Sequence, residues 1–204
     1  MVKKADIPMH VVATAMDLAA ERGWRSVSLG EIAEAAGLKL SQLYDVYPSK
    51  RAILHGLSQH ADRAMLAEAS ADPDAAEEST RDRLFALLMA RFDALLPYKD
   101  GIAAVLRDTL GNPAAALAWG GSLRRSMTWA LEAVGPVGRG WLLPVQVKGL
   151  SAIYLSTMLV WLRDESADMS KTMAALDKRL RRAEAIMGGR EDAAGNSQEA
   201  AEQT

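Results

Sequence analysis

The sequence predicts an all-α protein of about nine helices. Apolar residues recur at helical spacing along most of the chain, no stretch shows the alternation of a half-buried strand, and caps, glycines and prolines divide the pattern into helix-sized pieces. With 50% hydrophobic residues among 204, the chain can bury a substantial core.

The first helix opens at Asp6, a capping residue, with Pro8 in its first turn. Val11, Val12, Ala15, Met16, Leu18 and Ala19 give it an apolar face, and Gly23 stops it. Ser28 followed by Glu31 forms a capping box for the second helix, which turns Leu29, Ile32 and Ala33 inward. Ala36 and Gly37 make a sharp turn, Leu38 anchors it, and Leu40, Leu43, Tyr44 and Tyr47 supply the third helix. Pro48 ends that helix, because the residue before a proline is pushed out of the helical region. Ser49 caps the fourth, which carries Ile53, Leu54, Leu57, Ala61 and Met65 toward Ala71.

The polar segment from Asp72 to Glu78 reads as a loop, and Ser79 or Thr80 caps a fifth helix bearing Leu84, Leu87, Leu88, Phe92 and Leu95. Pro97 marks the next boundary. A sixth helix through Ile102, Val105 and Leu110 stops at Gly111, and Asn112-Pro113 opens a seventh. The eighth runs from Trp141 to Leu162 and is apolar on more than one side, so it is expected at the centre. The ninth places Met169, Met173, Leu176, Leu180 and Met187 on one stripe. The remainder, 189–204, is too poor in apolar residues to offset its ordering entropy and is expected to be disordered.

Composition narrows the function classes. The chain has no cysteine, which excludes disulfides, cysteine-ligated metals and thiol catalysis. His55 and His60 do not share the helical spacing of a metal pair, so no metal or cofactor is expected. No nucleophile triad, phosphate-cradling glycine loop or paired-carboxylate cleft stands out, so the chain is not read as an enzyme. Lys3 and Lys4 precede Asp6 and Pro8 rather than an apolar run, and no segment reaches ~18 uninterrupted apolar residues. A cytoplasmic protein with no membrane span is therefore expected. Net charge is −2, with one base against four acids in 189–204, so the body is close to neutral.

Ser28, Ile32-Ala33, Ala36-Gly37-Leu38, Leu43-Tyr44, Tyr47-Pro48, Ser49-Lys50 and Ile53-Leu54 keep one register. In it the sequence resembles the N-terminal domain of TetR-family transcriptional regulators. The resemblance implies a helix-turn-helix DNA-binding domain over 1–48, an effector-binding and dimerisation domain over 49–188, and a tail over 189–204. It also implies a homodimer formed through helices 8 and 9, double-stranded DNA as partner, and repression released by a small effector. Carried over by position, Ser28 and Lys50 would meet phosphate, Lys39, Leu40, Ser41 and Gln42 would face base edges, and Tyr44 would touch the backbone. Gln42 offers both a donor and an acceptor to an adenine edge, and Leu40 can meet a thymine methyl. Asp45 would stand near phosphates and repel them.

The run from Tyr154 to Ser166 and on to Arg179 is similar to the C-terminal part of lipid-binding accessory proteins of ubiquinone biosynthesis, which share the TetR-like fold. That similarity implies an alternative, a lipid or isoprenoid carrier that does not bind DNA. On either reading the excess of Trp and Met suggests an apolar or amphipathic ligand, with Met89, Phe92, Trp119, Met127, Trp129, Met158 and Trp161 as candidate lining residues. Arg91, Arg107, Arg124 or Arg125 could hold an acidic head group.

Overall fold

The structure is a computed structural model that describes residues 6–71, 78–109, 113–135 and 142–185, with the side chains of 71 and 113–119 also outside the description. Its elements are α1 (Ile7–Arg22), α2 (Leu29–Ala35), α3 (Leu40–Val46), α4 (Lys50–Ala71), α5 (Thr80–Leu95), α6 (Lys99–Thr109), α7 (Pro113–Ala133) and α8 (Leu142–Trp161). A further helix, α9, covers 170–185, and no strand occurs among the described residues. The all-α expectation holds.

Local chemistry explains most boundaries. Ser28 accepts from Glu31 N while its own N–H donates to the Glu31 carboxylate at 2.8 Å, so α2 has the capping box read from its sequence. Ser49 accepts from Ala52 N at 3.1 Å and Ser79 from Asp82 N at 3.1 Å, which start α4 and α5. Asp6 differs from expectation: its side chain makes no cap bond, and its backbone carbonyl simply accepts from His10 N at 3.0 Å. Pro97 also does less than expected. It sits at the start of a single 3-10 turn, Leu96–Tyr98, that leads straight into α6, because a missing N–H costs nothing at a helix start. The expected stop at Gly111, the Asn112 cap, the start at Trp141 and the 189–204 tail fall outside the described residues.

Between α2 and α3 the chain reverses at Gly37, whose φ of +66° favours glycine, and Leu38 N closes the turn on Ala33 O at 2.8 Å. Leu43 is the buried residue of α3, and Ile32 and Ala33 those of α2.

One hydrophobic core runs from Val11 on α1 to Leu180 on α9. Helix α1 lies against α2, α4 and α6, and it meets α6 so closely that a Cβ at Gly101 would stand 2.5 Å from Met16 O. Helix α4 packs along α5 and α7, and α7 along α8. The core of the first three helices is therefore continuous with that of the body.

Helix α8 corrects the sequence reading. Val147, Leu150, Tyr154, Met158 and Trp161 are buried, but Leu142, Val145, Leu155 and Leu159 are exposed, the last at 61%. The helix is peripheral, and its second apolar side faces outward. It is long and apolar enough to cross a membrane by length and composition, with 28% of the relevant window buried.

Candidate nucleic-acid interface

Helix α2 and the connection before it are held from three directions. His10 on α1 meets Ala36 O at 3.2 Å, Arg22 pairs with Glu31 at 2.9 Å, and Asp108 on α6 accepts from Arg25 N at 2.7 Å. With seven residues and little more than Leu43 in the core, α3 leaves most of its surface outside. Leu40 is 59% exposed and Tyr44 67%, one turn apart on the same face, and Lys39, Ser41, Gln42 and Asp45 are exposed around them. Large apolar surface left open on a short helix marks a contact surface more often than a packing accident.

Geometry divides the seven predicted contact residues into two groups. Lys39, Leu40, Ser41 and Tyr44 are exposed, and no hydrogen bond among the described residues occupies the Lys39 ammonium or the Ser41 and Tyr44 hydroxyls. Ser28, Gln42 and Lys50 are already engaged. The Ser28 hydroxyl accepts from Glu31 N at 3.2 Å and donates to the Glu31 carboxylate at 2.7 Å. Bonds from the Ser28 hydroxyl and backbone, with Arg22 nearby, hold that carboxyl below its ordinary value, so it is anionic beside any phosphate Ser28 would meet. Gln42 closes the start of α3, its Oε1 accepting from Lys39 N at 2.8 Å, so its amide NH2 is the half that faces outward chemistry.

Lys50 departs furthest from the expected phosphate contact. Its ammonium turns inward, donating to Val27 O at 2.6 Å and to Trp24 O, and lies 4.4 Å from the Trp24 ring centroid. Burial pushes its pKa down, opposed by the Asp108 and Glu31 carboxylates. The lysine ties the start of α4 to the α1–α2 connection, where the carbonyls of Trp24 and Val27 would otherwise lack partners.

The predicted ligand-lining residues also separate. Met89, Phe92, Met127, Met158 and Trp161 are buried in the core, with Phe92 stacked on Tyr154 at 4.8 Å and tilted against Trp161 at 5.6 Å. Trp129 is 53% exposed, because the buried face of α7 is set by Met127, Ala130 and Leu131. The Trp119 side chain lies outside the described residues. A shallow groove of about 30 Å³, open to solvent, is lined instead by Glu68, Glu78, Arg83 and Leu87, none of them a predicted lining residue.

Among the four candidate arginines, Arg91 stands apart. It is 4% exposed and bonds to Asp62, Ser58 and Tyr154, partners the sequence reading did not identify. The signal was two polar pairs at helical spacing beside apolar stripes, Ser58 with Asp62 and Ser122 with Ser126. No group of three or more acidic or histidine side chains suited to a metal occurs among the described residues.

Residues 11–57 match the family model of bacterial regulatory proteins, tetR family, and residues 148–187 match that of COQ9. No curated protein matches the chain by sequence. Solved structures do match by fold. A TetR transcriptional regulator from Nitrosomonas europaea is 24% identical with a TM-score of 0.71, covering 86% of this chain and 96% of its own. One from Rhodococcus sp. RHA1 is 19% identical with a TM-score of 0.58, over 87% and 98%. Thermus thermophilus FadR, a TetR-family transcriptional repressor in complex with lauroyl-CoA, is 19% identical with a TM-score of 0.53, over 85% and 91%. The chain thus carries a tetR-family N-terminal domain on a body with the fold of TetR-family regulators, and its α8–α9 segment is similar to COQ9.

Proposed function

We propose that this protein is a cytoplasmic, homodimeric transcriptional regulator that reads double-stranded DNA with α3 and represses until a small apolar or amphipathic effector releases it. The reader spans 1–48, the effector-binding and dimerisation body 49–188, and the tail 189–204. The observation that carries the reading is the outward face of α3, where Lys39, Leu40, Ser41 and Tyr44 stand exposed on a capped, glycine-turned pair of helices. Lys39 and Tyr44 supply backbone contacts, Leu40 an apolar contact to a thymine methyl, and Ser41 with the Gln42 amide a donor to base edges. Ser28 and Lys50 act mainly by holding α2 and α4 in place. A fold neighbour that is a repressor in complex with lauroyl-CoA, an amphipathic molecule, supports both the repressor and the effector assignments. The carrier alternative is not favoured: its support is the COQ9 match, which covers 148–187.

Purified protein should shift a fragment of its own promoter region, with affinity falling steeply as salt rises through release of counterions from the phosphates. Failure to shift any genomic fragment at low salt would overturn the regulator reading.

A further inference from the structure

Arg91 sits inside the helical body, and its partners come from other helices. It donates from Nε to the Tyr154 hydroxyl of α8 at 3.2 Å, from one terminal nitrogen to Asp62 of α4, and from the other to Ser58 Oγ at 3.2 Å. From α7, Ser126 Oγ donates to the second Asp62 oxygen at 3.0 Å and Ser122 Oγ meets Ser58 Oγ at 3.3 Å. Replacing a buried ion pair by well-packed apolar residues is often neutral or stabilising, so stability alone gives little reason to keep such a centre.

The two charges are unequally placed. The Arg91 side chain is 5% exposed and that of Asp62 is 19% exposed, so the acid stands at the edge and the base is locked in. Rotating Asp62 outward would leave a guanidinium in contact with the hydroxyls of Ser58 and Tyr154, with Ser122 beyond Ser58 and Ser126 released from Asp62, all able to donate. Burial pushes the Tyr154 phenol up, so it keeps its proton. Beside this donor-rich centre Phe92 stacks on Tyr154 and tilts against Trp161, three apolar rings buried together in the core. The place already holds one planar, two-oxygen anion, the Asp62 carboxylate, with one oxygen on Arg91 and the other on Ser126.

We propose that this centre binds the carboxylate of an apolar carboxylic acid, and that Asp62 is an internal carboxylate holding the place until the ligand displaces it. The inference rests on reading the body as the effector-binding part of a regulator, and it names the effector's chemical class. It also gives the effector a route to the reader. Asp62 shares α4 with Lys50, about 18 Å away at 1.5 Å per residue, and Lys50 holds the α1–α2 connection.

Isothermal titration of the full chain with decanoate and with 1-decanol tests the site, since the two share an apolar body and differ in charge. Decanoate should bind at least about tenfold tighter than decanol. Asp62→Asn should bind decanoate tighter still, because the internal competitor has lost its charge; a merely structural ion pair would make this variant bind no better or worse. The double variant Arg91→Met with Asp62→Asn should lose the preference, and it avoids stranding an unpaired buried acid. Equal binding of the two probes, no binding of decanoate, or no tightening in Asp62→Asn overturns the proposal, and the wild-type and Asp62→Asn titrations decide it even if the double variant does not fold. A promoter shift on the same preparation separates the two readings. DNA binding without carboxylate preference removes the site alone, whereas carboxylate preference without DNA binding removes the regulator and leaves the site.

Discussion

A lysine whose ammonium is bound by two backbone carbonyls and covered by an indole is poorly placed to neutralise a phosphate as well. Lys50 is in that position, with Trp24 and Val27 as its acceptors. The salt dependence of DNA binding distinguishes the two roles. Removing a side chain that neutralises a phosphate lowers the slope of log affinity against log salt by about one, whereas removing one that only positions a helix lowers affinity without changing the slope. Lys50→Met should therefore weaken promoter binding with the slope intact, measured by fluorescence anisotropy over a salt series. A slope reduced by about one would return Lys50 to the phosphates. The same logic limits what sequence could tell about Gln42. Its side chain has the right groups for a base edge, but the nearest acceptor-seeking N–H is Lys39's own, and the local bond closes first.

Elements whose ends are fixed by neighbouring residues were legible in the chain; those fixed by distant groups were not. The Ser28–Glu31 box, the Gly37 turn and the Ser49 and Ser79 caps each involve groups within three to five residues, and each forms as read. The α8–α9 joint is different, because its centre is a buried carboxylate. Asp164 is 2% exposed; it accepts from Ser166 N at 3.1 Å and the Ser166 hydroxyl, and from Thr172 N at 2.8 Å and Oγ1 at 2.7 Å. In the sequence this aspartate is just a polar residue beyond Leu162, the last residue of the expected eighth helix. Burial alone would raise its pKa, but the bonds from Ser166 and Thr172 outweigh burial and hold the carboxyl well below the ordinary range. A folded pKa below the unfolded one means the group stabilises the fold fully above the unfolded value and loses that contribution as pH falls toward the folded value. Asp164→Asn should cost roughly 2–3 kcal/mol near neutral pH, and its deficit against wild type should shrink below about pH 4. Urea unfolding across that range measures the gap; a deficit independent of pH would show that the charge does not hold the joint.

At the scale of the whole molecule, α8 is apolar on two sides, and the chain itself buries only one. Val147, Leu150, Tyr154, Met158 and Trp161 face the core, while Val145, Leu155 and Leu159 stand 54%, 45% and 61% exposed. Periodicity revealed how many sides were apolar but not which of them the chain's own core would cover, and so the helix read as central. Gly149 and Ala152 are exposed on the outer side too, small residues that let another helix approach closely. A twofold pairing of α8 and α9 with a second copy would cover this face in the manner of an isologous interface, where every substitution acts twice. Leu159→Glu would then bury two carboxylates near one axis, each stripped of water and repelling the other. That cost, several kcal/mol for each buried charge, exceeds what a modest helix interface can absorb even with Arg163 exposed four residues along. Sedimentation at micromolar concentration should show a dimer for wild type and a monomer for Leu159→Glu, with circular dichroism unchanged because the residue lies outside the chain's own core. The monomer should also lose promoter affinity, since two readers must be joined to engage two half-sites. A variant that stays dimeric would move the interface off α8, and one that becomes monomeric yet binds DNA as tightly would separate dimerisation from reading.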